Sequence, residues 1–277
     1  MAVDLHIHST ASDGTLSPEK IVREAKRIGL TGFAIADHDE LAGSIQAAAH
    51  AEAQGITLVP AVEISTDYED VEVHILGYWV DPQDEQLGRR LQAIREGRVL
   101  RAQRIVDRLR ELGIGQISLE DVLRETGGES VGRPHVAAAL VRAGVCGRRQ
   151  EAFRRYLGRT APAYVPRVRP TTVDAIGIVR EGGGCAVLAH PGLVPGRPRL
   201  IEQMAAYGVE GVEAYYPKHS AEQVALFLQR ADAAGLLITG GSDSHGPGGT
   251  EPVCIGAGSA PDSCLEALEE WRRRRRH

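Results

Sequence analysis

The chain has 277 residues, of which 43% are hydrophobic and 25% charged, and its formal net charge is -5. These values are typical of a soluble globular protein with a sizeable core, and they exclude an overall basic field that would recruit nucleic acid. No apolar run reaches the roughly 20 residues of a membrane helix, and Met1–Asp4 lacks the pattern of a signal peptide. The four cysteines are scattered, which favours reduced thiols over a disulfide framework. We therefore expect a cytoplasmic protein that binds no membrane and needs no obligate protein partner.

Strands and helices alternate along the first eighty residues. The spacing predicts strands over Ala2–Ile7, Gly32–Ala36, Thr57–Val62 and Val71–Tyr78. One helix begins at Ser17-Pro18-Glu19 and ends near Gly29, and another covers Leu41–Gln54 and ends at Gly55. This alternation favours an α/β fold built on a parallel sheet or barrel.

The pattern changes in the middle of the chain and then returns. Residues 83–160 are charged and helical in pattern, with a long helix rich in arginine and leucine followed by helix starts at Ser118 and Pro134. Strands are again predicted over Cys185–Ala189, Gly211–Ala214 and Leu236–Thr239. We therefore predict a barrel domain over residues 1–82 and 161–277, with an all-helical insertion over residues 83–160 that caps the active site.

Six of the ten histidines fall within or just after predicted strands, and three carboxylates occupy similar places. The histidines are His6, His8, His38, His74, His190 and His245, and the carboxylates are Asp13, Glu63 and Asp243. Because His6 and His8 are two residues apart on an extended chain, their side chains share one face. The carboxyl ends of parallel strands meet at one rim, so we expect all nine side chains to lie close together.

So many ionisable groups are costly to bury together without a compensating charge, and metal cations are the simplest compensation. Imidazole and carboxylate ligands without cysteine suit Mn²⁺, Fe²⁺ or Zn²⁺. Nine ligands are too many for one ion, and Glu63 is the natural carboxylate to bridge two. Adjacent metals can activate water and neutralise phosphoryl oxygens. The residues therefore predict a multi-metal phosphoesterase.

The motifs occur in a recognisable order and resemble those of the PHP (polymerase and histidinol phosphatase) superfamily. They are Asp4-Leu5-His6-Ile7-His8-Ser9 with Ser12-Asp13-Gly14, Ala36-Asp37-His38-Asp39, Pro60-Ala61-Val62-Glu63, Val73-His74-Ile75-Leu76-Gly77, Leu188-Ala189-His190-Pro191 and Gly241-Ser242-Asp243-Ser244-His245. The resemblance implies a distorted seven-stranded (β/α) barrel and a site for three divalent ions, with Mn²⁺ the first candidate.

The resemblance also implies how the ligands are shared. One ion would be held by His6, His8, Glu63 and Asp243, a second by Glu63, His74 and His190, and a third by Asp13, His38 and His245.

Within the superfamily, the layout is similar to the branch that hydrolyses nucleoside 3',5'-bisphosphates, some members of which trim short RNA from the 5' end. The helical insertion, Gly132-Arg133-Pro134-His135 and Tyr216-Pro217-Lys218-His219-Ser220 indicate this branch. The resemblance implies that Arg133, His135 and His219 face the substrate. Arginine offers a fork that matches phosphate oxygens, and a histidine can bind phosphate or protonate the leaving oxygen.

Asp39 has two interpretations. Its carboxylate could orient His38 or handle a proton in catalysis, since histidine ligands usually need a supporting partner. Alternatively, Asp39 could be the N-cap of the helix that begins near Leu41.

The substrate is therefore expected to be small and phosphorylated, with a nucleoside 3',5'-bisphosphate preferred. A 5'-3' exoribonuclease acting on short single-stranded RNA and a histidinol-phosphate phosphatase are the alternatives with the same chemistry. A binding module without catalysis would be expected to have lost ligands, and none of the nine is missing. An amide-hydrolysing barrel commonly bridges its metals with a carbamylated lysine, whereas Glu63 occupies that place here.

Overall fold

The structure is a computed structural model that describes residues 2–69, 71–126, 131–166, 169–248 and 253–275. Two compact units make up the chain. The barrel unit comprises Met1–Leu91 and Pro170–His277, and the helical unit comprises Gln92–Arg169. The sequence instead predicts the boundaries of the insertion at 83 and 160, and its capping of the active site stays a prediction.

The barrel unit is built on one sheet. Its strands among the described residues are β1 (Ala2–Ile7), β2 (Gly32–Ile35), β3 (Thr57–Tyr68), β4 (Val71–Tyr78), β5 (Cys185–Leu188), β6 (Gly211–Tyr215), β7 (Leu237–Gly240) and β8 (Ala260–Pro261). Their order in the sheet is β7-β6-β5-β4-β3-β2-β1-β8. The predicted α/β barrel is confirmed. The predicted count of seven strands is one short, because the two residues of β8 pair antiparallel with the start of β1.

Hydrogen bonds between β1 and the segment after β7 bring the two ends of the sheet together. The amide of Asp243 donates to the carbonyl of His6 at 2.8 Å, and the amide of His8 donates to the carbonyl of Ser244 at 2.9 Å. The buried carboxylate of Asp4 strengthens this seam by accepting from the amide of Ser242 at 2.8 Å. The seam therefore places the His-x-His strand directly beside the motif that contains Asp243.

The strands β3 and β4 form an antiparallel hairpin, which corrects the expected parallel arrangement. Their register runs from the Ala61–Tyr78 pair to the Tyr68–Val71 pair, and β4 is also antiparallel to β5. The link between β3 and β4 is too short for the crossover that a parallel pair requires. As a result β3 continues well beyond the predicted end at Val62.

Six helices surround the sheet in the barrel unit. They are α1 (Pro18–Arg27), α2 (Ala42–Gln54), α7 (Thr172–Glu181), α8 (Leu200–Ala206), α9 (Ala221–Ala234) and α10 (Asp262–Arg275), with a short 3₁₀ turn at Pro191–Leu193. The predicted capping box at the start of α9 is present, with the Ser220 hydroxyl accepting from the amide of Gln223. Buried Ile21 of α1 packs with Phe33 of β2, and buried Leu268 of α10 belongs to the cluster that contains Leu5 of β1.

The helical unit has its own apolar core. It contains most of α3 (Glu85–Glu111), then α4 (Leu119–Arg124), α5 (Arg133–Arg142) and α6 (Arg149–Ala152), which continues into a π-helical turn at Phe153–Leu157. Fully buried Leu109, Val136, Leu140 and Leu157 lie in this core. In the part of the chain that the structure describes, every helix is too short or too polar to cross a membrane.

Gly43 provides a test of the packing under the rim of the barrel. A Cβ at this position in α2 would lie 1.9 Å from Oδ2 of Asp37 and 2.6 Å from Oγ of Ser9. We expect Gly43→Ala to lower the free energy of unfolding by roughly 1–3 kcal/mol, the usual cost of overpacking. The measurement is urea unfolding followed by the fluorescence of Trp79 and Trp271, because both tryptophans belong to the barrel unit.

Gly88→Ala in α3 is the matched control. A Cβ there meets nothing within 4 Å, so the change should be neutral or stabilising by up to about 1 kcal/mol. Equal losses in the two variants would contradict the close approach at Gly43.

Candidate metal centre

The structure brings all nine predicted ligands together at one end of the barrel. Their nitrogen and oxygen atoms form three groups, in each of which all the atoms lie within 4.8 Å of one another. The groups are His8, Asp13, His38 and His245; His6, His8 and Asp243; and Glu63, His74 and His190. His8 belongs to two groups, which the sequence does not predict, and the assignment of ligands to particular ions stays a prediction.

Each side chain reaches the site because of where its strand or loop lies. His6 is in β1 and His8 follows it directly. Glu63 and His74 lie within the hairpin, where Glu63 pairs with Leu76 and Ser65 pairs with His74. Side chains two residues apart on a strand share a face, so Glu63 and His74 project to the same side. The other ligands follow strands β1, β2, β5 and β7.

The carboxylate of Glu63 is at the centre of the cluster and is only 1% exposed. Its Oε1 lies 2.7 Å from Nδ1 of His74, 3.1 Å from Nε2 of His190 and 3.5 Å from Nε2 of His6. Its Oε2 lies 2.9 Å from Nδ1 of His38 and 3.4 Å from Nε2 of His8. The two oxygens therefore face different imidazoles, which is the geometry that a bridging carboxylate needs.

Electrostatics keep this carboxylate ionised. Burial alone would raise the pKa of Glu63, but attraction to His74, His38 and His6 holds its pKa well below the usual value. Burial also opposes protonation of His74, yet Glu63 and Glu72 raise the pKa of His74 to about 10. In the metal-free protein, protons on histidines thus balance the buried carboxylates, and metal cations can take over that role.

Several imidazoles are already oriented for ligation. Nδ1 of His6 donates to Oε1 of Glu213 at 3.0 Å, and Nε2 of His74 donates to Oε1 of Glu72 at 3.2 Å. Nδ1 of His245 donates to the carbonyl of Asp243 at 2.9 Å. Each bond holds the ring in one orientation and leaves the other ring nitrogen facing the cluster, as is usual for histidines that bind metals.

His8 meets the chemical requirement for a ligand in another way. Burial, together with the neighbouring His245 and His38, lowers the pKa of His8 to about 4, so its ring is neutral near pH 7. Within the described residues, Nδ1 atoms of His8 and His190 are buried without a hydrogen-bond partner. A neutral imidazole beside ionised carboxylates, such as that of His8, fits a divalent cation well.

Three non-glycine residues at the site have left-handed backbone conformations. They are Asp39 at φ 54°, His190 at φ 24° and Asp243 at φ 53°. Such conformations cost of the order of 1–3 kcal/mol each and persist only where the surroundings hold them. Here the amide of Asp39 donates to the carbonyl of Glu63 at 2.9 Å, and the amide of His190 donates to Glu213 at 2.8 Å.

Buried Asp37 supports the loop that follows β1. Its Oδ1 accepts from the amide of Ser9 at 2.7 Å and the hydroxyl of Ser12 at 2.6 Å, and its Oδ2 accepts from the hydroxyl of Ser9 at 2.7 Å. These bonds hold the loop that leads directly to Asp13.

The alternative that Asp39 is the N-cap of α2 is wrong. That helix begins at Ala42, and the amides of Leu41 and Ala42 donate to Oε1 of Glu40 at 2.8 and 3.1 Å. Glu40 therefore accepts the two hydrogen bonds that Asp39 would accept if it were the N-cap. Asp39 itself is buried next to His38, and its role in orientation or proton transfer stays a prediction.

His219 is buried and bonded to the backbone through both ring nitrogens. Its Nδ1 donates to the carbonyl of Ala214 at 2.9 Å, and its Nε2 accepts from the amide of Gly192 at 3.2 Å. Burial also lowers the pKa of His219. The ring thus joins the loop after β5 to the loop after β6, and its predicted contact with substrate stays a prediction.

Arg133 and His135 lie in the first turn of α5 in the helical unit. Nδ1 of His135 accepts from the amide of Gly132 at 3.0 Å, which caps the start of this helix. The Arg133 guanidinium donates to the carbonyl of Leu157 at 3.0 Å and lies 5.7 Å from the centre of the Phe153 ring. The predicted contact of both residues with substrate stays a prediction.

Sequence reasoning missed three residues that contact the ligands. They are Glu72, Glu213 and Tyr216, whose hydroxyl donates to Oδ2 of Asp243 at 3.0 Å. Glu72 could have been found from its position two residues before His74 on the same strand. Glu213 had a weaker signal, as the single acid within the strand Gly211–Tyr215.

Comparison with known proteins relates this site to metal-dependent phosphoesterases. A family model described as the PHP domain matches residues 4–121. A 3',5'-nucleoside bisphosphate phosphatase from Chromobacterium violaceum is 36% identical over 251 residues, covering 89% of this chain and 88% of that protein. The 5'-3' exoribonuclease Rnm of Escherichia coli strain K12 is 35% identical over 250 residues, covering 88% and 85%.

A solved structure gives the same relation. It is a protein from Bifidobacterium adolescentis described as a candidate metal-dependent phosphoesterase, with 36% identity and a TM-score of 0.79. The match covers 96% of this chain and 94% of that chain.

Replacement of the central carboxylate tests the metal centre. We expect Mn²⁺ at 100 times its dissociation constant to stabilise the EDTA-treated wild type by about 2.7 kcal/mol for each site filled. Glu63→Gln should lose most of this gain, because a neutral amide cannot balance cations on both sides. The measurement is the shift in melting temperature on adding Mn²⁺, followed by tryptophan fluorescence.

Glu52→Gln is the control, because Glu52 is exposed on α2. It should keep the full Mn²⁺-dependent shift. A wild-type shift in Glu63→Gln would show that ions bind elsewhere.

Proposed function

The chain belongs to the PHP family of metal-dependent phosphoesterases and is a phosphoric ester hydrolase, and we propose that it removes the 3'-phosphate from nucleoside 3',5'-bisphosphates. One observation carries this choice of substrate: the likeness to a 3',5'-nucleoside bisphosphate phosphatase extends over 89% of this chain. An example is the conversion of adenosine 3',5'-bisphosphate to AMP and phosphate.

We assign the nine clustered side chains to three divalent ions, with Mn²⁺ as the first candidate and Fe²⁺ or Zn²⁺ as alternatives. The three groups of donor atoms support this number, and the central position of Glu63 supports its role as a bridge. When bound, such ions activate water and neutralise the oxygens of the phosphoryl group.

We assign substrate recognition to residues other than the nine candidate metal ligands. The guanidinium of Arg133 can form paired bonds to phosphate oxygens. The 3'-oxygen that leaves must gain a proton, and we assign its delivery to His135. His219 and Asp39 are secondary candidates for proton transfer and substrate contact.

The direct test is a substrate panel with controlled metal content. Purified protein with Mn²⁺ is incubated with adenosine 3',5'-bisphosphate, histidinol phosphate and 5'-phosphorylated RNA, and the release of phosphate and AMP is measured. We expect AMP and phosphate in equal amounts from the bisphosphate. No release from the bisphosphate, combined with turnover of another phosphoester, would rule out this substrate.

A 5'-3' exoribonuclease is the second candidate, supported by 35% identity over 88% of the chain to a relative with that activity. This function predicts stepwise release of mononucleotides from the 5' end of a short single-stranded RNA. An oligonucleotide that stays intact after prolonged incubation, while the bisphosphate is consumed, would exclude it.

His135 offers a test that separates chemistry from folding. His135→Gln should retain the capping interaction with Gly132, because glutamine is a usual partner at this position of a capping box. It removes the imidazole, so we expect kcat for the bisphosphate to fall by at least about 100-fold if the ring transfers the proton. Melting temperature and kcat are measured together.

His135→Ala is the companion variant. It should lose the same activity and also about 1 kcal/mol of stability from the missing cap. Full activity in the stably folded His135→Gln would remove His135 from the proposed mechanism without affecting the metal centre.

A further inference from the structure

Glu213 is a fully buried carboxylate in the strand β6, and both of its oxygens bind residues of the metal centre. Oε1 accepts from Nδ1 of His6 at 3.0 Å, and Oε2 accepts from the backbone amide of His190 at 2.8 Å. The flanking residues Val212 and Ala214 are buried and apolar. A charge in apolar surroundings is costly unless it is paired and hydrogen-bonded. The contacts with His6 and His190 therefore stabilise the buried Glu213 carboxylate.

The two partners of Glu213 belong to different groups of donor atoms. His6 groups with His8 and Asp243, whereas His190 groups with Glu63 and His74. We propose that Glu213 is a positioning residue that aligns these two groups with each other. This inference rests on the metal centre proposed above and is independent of the choice of phosphoester.

The contact with His6 sets which ring nitrogen faces the cluster. An ionised carboxylate can only accept, so Nδ1 of His6 carries the proton in this bond. The other ring nitrogen, Nε2, lies 3.5 Å from Oε1 of Glu63 and 3.6 Å from Oδ1 of Asp243, and is the atom that an ion would use. The Glu213 carboxylate therefore directs the ligating nitrogen of His6 into the cluster.

The contact with His190 holds a strained backbone. His190 follows the end of β5 with φ at 24°, a conformation that non-glycine residues rarely adopt. The hydrogen bond from the amide of His190 to Glu213 holds the backbone at the strained residue. The hydrogen bond from the amide of Gly192 to His219 holds the backbone two residues later. A single carboxylate thus controls a side chain in one group and a backbone in the other.

Glu213→Gln is the informative change because it keeps the shape and removes the charge. Its amide oxygen can still accept from the amide of His190, and its NH₂ group then faces Nδ1 of His6. A donor at that place favours the proton on Nε2, the nitrogen that should bind the ion. We expect the affinity for Mn²⁺ to fall by about 10- to 100-fold, the usual effect of losing such a supporting carboxylate.

Isothermal titration of the EDTA-treated protein with Mn²⁺ tests the proposal, because it measures both affinity and stoichiometry. We expect Glu213→Gln to weaken the ions assigned to the groups of His6 and His190, and to leave the ion assigned to Asp13, His38 and His245 at its wild-type affinity. A general loss of packing would weaken all of the ions alike.

Glu210→Gln is the matched control. Glu210 precedes β6 and accepts from Nε1 of Trp271 at 3.2 Å, and it pairs with Arg275, so its contacts lie outside the nine ligands. This variant should keep the wild-type affinity for every Mn²⁺ ion. Equal weakening in both variants would overturn a specific role for Glu213.

A second change covers the case in which Glu213→Gln does not fold. Glu213→Asp keeps the negative charge but is one methylene too short to reach both partners, so it should also weaken Mn²⁺ binding. Wild-type affinity in the folded glutamine variant, equal weakening of all of its ions, or wild-type affinity in the aspartate variant would overturn the proposal. A wild type that binds no Mn²⁺ would overturn the metal centre itself, which distinguishes the two failures.

Discussion

The pairing of Glu63 with the imidazoles around it is the interaction on which the rest of the barrel rim depends. Its carboxylate is nearly inaccessible to water, and five histidines approach its two oxygens. Such a cluster is stable only when positive charge balances the acids, whether as protons or as metal ions. Because like charges repel as strongly as opposite charges attract, the positions of all members must be closely fixed. The hydrogen bonds outside the cluster meet this requirement.

The supporting bonds act on the backbone as well as on the rings. His190 follows β5 and Asp243 follows β7, and both have left-handed backbone conformations. These conformations turn the two candidate ligands toward the cluster. Each of the two amides is held, that of His190 by Glu213 and that of Asp243 by the carbonyl of His6. The strain is therefore offset by bonds that also join neighbouring strands, so the fold and the site are stabilised by the same contacts.

The sequence predicted which candidate ligands come together better than it predicted their surroundings. The His6-x-His8 alternation and the placement of acids after strands are local features, and local features can be recognised from the sequence alone. The extension of β3 past Glu63 depends on pairing with β4, which the apolar pattern alone did not reveal. Glu213 was missed because its partners His6 and His190 are 207 and 23 residues away in the chain. Contacts of that range are set by strand order, which a single sequence does not display.

His219 shows how the surroundings change the meaning of a motif. In the sequence, a histidine after a strand favours a role with substrate, but in the folded chain both ring nitrogens bind the backbone, one in β6 and one in the loop after β5. The nearby Tyr216 donates to Asp243, so this segment also supports one candidate ligand directly. A ring committed to Ala214 and Gly192 must break a bond before it can exchange a proton with a phosphate ester.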